Sequence, residues 1–243
     1  MKQIIPLEIN FTYQDSRRRI YPVLLTNKDE VILVDCGYPG FLPLIKEEAE
    51  KNDIDLNNLS TIVITHHDYD HMGALAEIKE EYPKVTIASS LLDEKYISGK
   101  EKSLRLQQAE ALYDTLPFEK RAHAEWFQNT LKSLRTAKVD LKLNDHDIMP
   151  WAGGTEIIAT PGHMPGHISL YIKNYKTLIA GDALVIEEGK LAIANPNYTL
   201  DISEAKRSVK KLLDYEIQRI ICYHGGEFNK NIRDSLLEVI KEA

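Results

Sequence analysis

Along the chain, apolar residues first recur at strand spacing. Segments 3–11, 19–26 and 30–35 are rich in Ile, Val, Leu and Tyr, and Asn27-Lys28-Asp29 predicts a hairpin turn between the last two. Residues 41–51 predict a helix. Thr61 to Thr65 reads as a short, continuous apolar strand, as a sheet covered on both faces requires. It runs straight into the polar residues 66–71 and then into an amphipathic helix from Met72 to Tyr82. A strand at 84–88 leads to a helix-rich stretch from about 90 to 137, broken at Pro117. Within it Ala124, Phe127, Leu131 and Leu134 share one helical face. Strand patterns return at 139–143, 155–160, 167–173 and 176–181, the last pair joined over Asn174-Tyr175. Asp201 and Glu204 have capping-box spacing for a helix at 202–214, and strand 218–223 and helix 229–242 follow.

Strands and helices, a helical stretch, then strands and helices again predict two similar α/β halves whose sheets pack face to face, with helices outside. The expectation is one domain over residues 1–243 with a helical insert at about 98–137. Leu112, Tyr113 and Leu116 share a face of that insert, as do Phe127, Leu131 and Leu134. It is expected to border a pocket mouth as a lid, or to serve as a homodimer contact.

Composition narrows the function classes. A hydrophobic content of 43% with 28% charged residues is that of a globular chain, not a disordered one. A net charge of −7 argues against nucleic acid as a partner, because phosphate binding needs a basic face. No apolar run approaches a membrane span, so no membrane partner is expected. Pro6 and Glu8 interrupt the first apolar stretch, and Cys36 and Cys222 are too few for a disulfide framework. A cytoplasmic protein acting on a small molecule is the expectation.

The chemistry concentrates in Thr65-His66-His67-Asp68-Tyr69-Asp70-His71-Met72-Gly73. If strand geometry continues, residues 66 and 68 point the same way and reach one ion, while Asp70 and His71 turn toward a second. An Asp here would alone be read as a helix cap, but capping does not explain three His and two Asp in so short a run. Three more polar positions each follow an apolar strand: His163 in Pro161-Gly162-His163-Met164-Pro165-Gly166-His167, Asp182 after Gly181, and His224 before Gly225-Gly226. Together they supply imidazole and carboxylate donors for two divalent ions.

This set resembles the metallo-β-lactamase superfamily, whose motif reads His-x-His-x-Asp-His followed by a distant His, Asp and His. The resemblance spans Asp35 to His224. It implies an α/β fold, a four-layer αββα sandwich of two mixed β-sheets with helices on the outer faces and metals at one edge between the sheets. By position His66, Asp68 and His163 would hold the first ion. Asp70, His71 and His224 would hold the second, with Asp182 bridging and Asp35 supporting the site from behind or merely closing its strand. Asp68 departs from the pattern, standing where the family usually has its second His. With three carboxylates and a hydroxide cancelling the charge of two ions, the centre should be a weaker Lewis acid, less attractive to anions and more open to hard metals. Zinc comes first, with manganese and iron as alternatives.

The implied function is metal-dependent hydrolysis of a small ester, thioester, lactone or phosphoester, with a hydroxide shared by the two ions attacking and Asp70 as the catalytic proton carrier. Tyr69, Asn195 and Tyr198 are candidate substrate-binding residues, with packing or plain loop roles equally open. His67 should face away from the metals, His167 should support them or be structural, and His123 and His146 read as surface residues. Cys36 and Cys222 read as buried thiols. Several relatives fit less well. Class B β-lactamases usually carry Cys in place of Asp182, and acyl-homoserine lactonases commonly carry Tyr where this chain has Val185. Glyoxalase II enzymes add a helical domain beyond the last His, and transfer-RNA-processing members need a basic arm. The rival reading is a diiron redox or oxygen-binding protein of flavodiiron-like type, since those proteins carry an acidic residue in place of Asp68. Either way, saturation with zinc, manganese or iron is expected to leave about two ions per chain. Elemental analysis finding no more than one would overturn this.

Overall fold

A computed structural model describes residues 3–13, 15–27 and 30–242. Lys28 and Asp29 of the predicted hairpin turn lie outside these residues, but the flanking strands pair antiparallel from Val23↔Val34 to Thr26↔Val31. Two six-stranded sheets carry the fold. In the first, the strands run in spatial order Ile4–Pro6, Val23–Thr26, Val31–Val34, Leu59–Ile64, Thr86–Ser90 and Leu141–Leu143. In the second the order is Gly226–Phe228, Arg219–Cys222, Thr177–Gly181, Ile168–Ile172, Thr155–Ala159 and Ile148–Met149. Both sheets are mixed: Val31–Val34 and Leu59–Ile64 run parallel, as do Thr177–Gly181 and Arg219–Cys222, while most hairpin neighbours are antiparallel.

The alternation of side chains across each strand builds three apolar layers. Ile32, Val34 and Val63 of the first sheet meet Ile168, Leu170, Ile172 and Ile221 of the second in one buried cluster between the sheets. The residues that alternate with them, Leu33, Ile62 and Ile64, point outward onto helices Leu42–Lys51 and Leu75–Glu81 through Ile45, Ala49, Leu75 and Ile78. On the far side Ile158, Leu178 and Ile220 meet helices Ile202–Leu212 and Ile232–Glu242 through Val209, Leu212 and Leu236. The result is the αββα sandwich that the sequence predicts. Strands buried on both faces explain why their sequence is continuously apolar rather than alternating.

Local departures have local causes. The single helix expected from Met72 to Tyr82 is two helices, Tyr69–Met72 and Leu75–Glu81. The break is at Gly73, whose N–H donates to Gly37 O at 2.8 Å, so the loop after Asp35 lies directly on it. The long apolar start is likewise divided: Ile9–Tyr13 and Ser16–Ile20 form a separate hairpin outside both large sheets. A second small hairpin, Val185–Glu187 with Lys190–Ala192, follows Asp182. Helices Leu104–Leu112 and Phe118–Ser133 occupy the stretch between the two halves.

Gly73 has ordinary helical backbone angles, so only space forbids a side chain there. A Cβ would lie 2.4 Å from Pro39 N and Tyr38 C, both backbone atoms that cannot move aside cheaply. Gly73→Ala is therefore expected to cost about 1–3 kcal/mol, as overpacking does, and to lower the melting temperature. An unchanged thermal midpoint would show that the loop yields freely.

Candidate metal centre

All the sequence-predicted ligands lie at the carboxyl ends of strands, at one edge of the seam between the sheets. Leu59–Ile64 delivers residues 65–71, and Thr155–Ala159 leads to His163. The parallel neighbours Thr177–Gly181 and Arg219–Cys222 end in register, Gly181 opposite Cys222, which sends Asp182 and His224 into the same space. Ile168 N–H donates to Thr65 O at 3.1 Å and ties the two halves together at this edge.

One set brings His66 Nε2 within 3.5 Å of Asp68 Oδ2 and His163 Nε2 within 3.0 Å of the same oxygen. In the other, Asp70 Oδ2 lies 3.2 Å from His224 Nε2 and 3.9 Å from His71 Nε2. Asp182 stands between the sets. Its Oδ1 is 3.4 Å from His71 Nε2, and its Oδ2 is 3.6 Å from His163 Nε2 and 3.7 Å from His224 Nε2. His66 Nε2, His71 Nε2, His163 Nδ1 and Asp182 Oδ1 are buried without a hydrogen-bond partner. Unpaired buried polar atoms are costly, and those of His66, His71 and Asp182, which lie together, fit a donor set for cations.

Supporting bonds aim the imidazoles. Asp35, buried and in the left-handed region at φ 59°, accepts from Thr65 N–H at 2.8 Å and from His71 Nδ1–H at 2.9 Å. Thr65 Oγ1 donates to Asp35 Oδ2 at 2.9 Å, which leaves it to accept from His66 Nδ1–H at 3.1 Å. Both rings thus turn Nε2 toward the cluster. Asp35 does support the site from behind. His167 does so from the other half: Nδ1–H donates to Thr160 Oγ1 at 2.8 Å, and Nε2 accepts from Asp182 N–H at 2.9 Å. Burial presses the His167 pKa down to about 3, so the ring stays neutral. The approach needs Gly181, because a Cβ there would meet His167 Nε2 at 2.6 Å.

His67 turns away, as strand alternation requires. Its Nε2 accepts from Leu104 N–H at 3.2 Å, which puts the proton on Nδ1 for donation to Asp93 Oδ2 at 2.9 Å. His146 pairs with Glu156 and His123 stacks on Trp126, both at the surface. Cys36 and Cys222 are free and buried.

Sequence reading missed Arg105, in the first turn of helix Leu104–Leu112. It is buried, 3% exposed, and grips Asp68 with both prongs: Nε donates to Oδ1 at 3.1 Å and Nη2 to Oδ2 at 2.7 Å. Nη2 also donates to Tyr198 O at 2.7 Å. Burial works against the Asp68 charge, but the Arg105 guanidinium and bonds from His163 and His66 outweigh it and hold the carboxyl well below its ordinary range. The charge count made from sequence therefore changes. Arg105 returns the charge that Asp68 removes, the pair is as neutral as an imidazole, and a weaker Lewis acid no longer follows.

The cluster opens into a cavity of about 530 Å³. Tyr69, Asn195 and Tyr198 line it, together with Asp68, Asp70, His163, Asp182 and His224. So do Phe127 of helix Phe118–Ser133 and Arg17, Arg18 and Arg19 of the detached hairpin. These arginines were also missed, although three in succession in an acidic chain are a visible signal. A larger hollow of about 720 Å³, lined by Gln3, Tyr21 and Glu227 among others, includes none of the cluster.

A sandwich of this kind with a His/Asp cluster at one strand edge defines a class of metal-binding folds. Residues 17–224 match the Metallo-beta-lactamase superfamily, and the chain belongs to that superfamily. It is 28% identical over 229 residues to the probable metallo-hydrolase YflN of Bacillus subtilis, covering 86% of this chain and 80% of that protein. It is 27% identical over 198 residues to a hydroxyacylglutathione hydrolase of Bartonella henselae, covering 80% of this chain but only 60% of the relative. A metallo-beta-lactamase family protein from Thermus thermophilus has the same fold, with a TM-score of 0.76 at 22% identity over 98% of this chain and 78% of that one.

Asp35 is the acceptor on which both His66 and His71 depend. Asp35→Asn keeps its shape and tolerates the left-handed backbone but gives His71 Nδ1–H a poorer acceptor. Metal affinity is expected to fall about 10–100-fold with the fold retained. Equal affinity in a competition titration would remove Asp35 from this role.

Proposed function

We propose that the chain is a metal-dependent hydrolase acting on a small ester, thioester, lactone or phosphoester, with a thioester as the first candidate. The observation that carries this reading is the Asp182 carboxylate, set between two His/Asp groups, with its Oδ1 and the Nε2 atoms of His66 and His71 buried without a hydrogen-bond partner. In this reading His66, Asp68 and His163 would hold one divalent ion and Asp70, His71 and His224 another, with Asp182 placed between the two groups. Zinc suits the imidazoles, and the carboxylates leave manganese and iron open. Bound there, the ions supply Lewis acidity and lower the pKa of a water.

The chain's own residues supply the rest. Asp70 faces the cavity and keeps an oxygen free to take the proton of the attacking water. Tyr69 is raised above the ordinary phenol range, chiefly by burial and then by Asp70, so it remains a donor at the cavity wall. Phe11, Tyr38 and Phe127 offer an apolar wall for an acyl group, and Arg17 and Arg18 a rim for an anionic substituent. The thioester preference rests on the likeness to hydroxyacylglutathione hydrolases. It also fits a cavity that is part aromatic and part cationic.

The test is a panel of matched acyl thioesters, oxygen esters, lactones and phosphodiesters, each with an anionic substituent, offered to zinc-, manganese- and iron-loaded protein. Thioester turnover is expected, lost on chelation and restored by metal, with Asp70→Asn lowering kcat about 100-fold or more. Oxygen consumption by the iron-loaded protein without any hydrolysis would overturn the reading in favour of redox chemistry.

A further inference from the structure

The two halves of the cluster are not equivalent, and the difference is Arg105. In the set of His66, Asp68 and His163, the carboxylate is already engaged. Asp68 Oδ1 accepts from Arg105 Nε, and Oδ2 accepts from both Arg105 Nη2 and His163. The guanidinium reaches 3.5 Å from His163 Nε2, so it sits against two of the three groups that would hold an ion. Its other contacts, Gln108 Oε1 at 2.7 Å and Tyr198 O at 2.7 Å, fix it in place. In the set of Asp70, His71 and His224, no arginine or lysine pairs with Asp70 among the described residues: its close ion pairs are with His224 and His71, and the Arg105 charge reaches Asp70 and Asp182 only at longer range than it reaches Asp68.

We propose that Arg105 is the resident counter-cation of Asp68 and makes metal uptake unequal: an ion loads first at Asp70, His71, Asp182 and His224, and a second loads more weakly at His66, Asp68 and His163. The physical reason is that a dication taking up Asp68 Oδ2 and His163 Nε2 must share that carboxylate with a buried cation, and like charges repel strongly where water is excluded. The inequality is set by the insert. Arg105 lies in the first turn of helix Leu104–Leu112, held by Ser103 Oγ, which accepts from Leu106 N–H at 3.2 Å, and by His67, which accepts from Leu104 N–H. This inference rests on the metal-centre reading above but not on any hydrolytic activity.

Metal-free full-length protein is titrated with zinc against a chromophoric chelator. Two steps separated by about ten-fold or more in affinity are expected. His224→Ala should abolish the tight step and His163→Ala the weak one. Arg105→Gln keeps a hydrogen-bond donor for Asp68 but removes the charge, and should strengthen the weak step by about ten-fold while leaving the tight step in place. Arg105→Lys, which keeps the charge, should leave the steps apart. Two ions binding with equal affinity to wild type would overturn the proposal, as would an Arg105→Gln protein whose weak step is unchanged or lost. If Arg105→Gln does not fold by circular dichroism, the wild-type isotherm and the two histidine variants decide. A chain that takes up no ion overturns the metal-centre reading as well, whereas two equal steps overturn only the role of Arg105.

Discussion

Everything at the centre hangs on the carboxylate of Asp35. It ends the strand Val31–Val34, next to the strand that carries the histidine-rich motif, and accepts from the Thr65 backbone, the Thr65 hydroxyl and His71. Through Thr65 it also fixes His66. One buried acid therefore orients two imidazoles and joins two parallel strands at the point where they open. The left-handed backbone at Asp35 follows from this position: the chain must turn sharply to bring the carboxylate back over its neighbour, and Asp and Asn are among the residues that tolerate the turn. His167 does the equivalent work in the second half through the Asp182 backbone, so each sheet contributes one buried group that aims the ligands of the seam.

What was legible in the sequence was local or strongly periodic. The strands around Ile62, Ile179 and Ile221 announce themselves because burial on both faces makes them runs of mostly apolar residues, and the ligands follow them directly. The donors therefore read as a set although His66 and His224 are far apart in the chain. Arg105 gave no such sign. It lies between Leu104 and Leu106 on a helix with little apolar periodicity, and its partner is reached only once the insert folds back over the motif. Gly73 was read through as helix because nothing in its own neighbours shows the loop at Pro39 that lands on it. The hairpin Val185–Glu187 with Lys190–Ala192 is too short to show an alternating pattern.

Consecutive residues of the motif serve different parts of the molecule. His66 faces the cluster, His67 caps the start of the insert's first helix, and Asp68 faces the cluster again while holding that helix by its arginine. The period of two that puts residues 66 and 68 on one side necessarily puts 67 on the other. The insert is thus pinned at two points on either side of the same short segment, and it is no independent appendage. Cutting the Asp68–Arg105 pair from one side alone would strand a buried charge, which generally costs about 3–5 kcal/mol. Any rearrangement of the insert must therefore treat both residues together.

The detached hairpin Ile9–Tyr13 and Ser16–Ile20 has a consequence beyond lining the cavity. It presents Arg17 and Arg18, exposed, on a chain whose net charge is −7. A negatively charged solute far from the protein is repelled, while one near the hairpin meets the positive charges of Arg17 and Arg18 at the rim of the cavity. Since mobile ions shorten the reach of such fields to about 8 Å at physiological ionic strength, added salt acts in two directions. It weakens the general repulsion first and the short-range attraction only at higher concentration. The rate at which anions find the cavity is accordingly governed by the salt around the protein as well as by the shape of the opening.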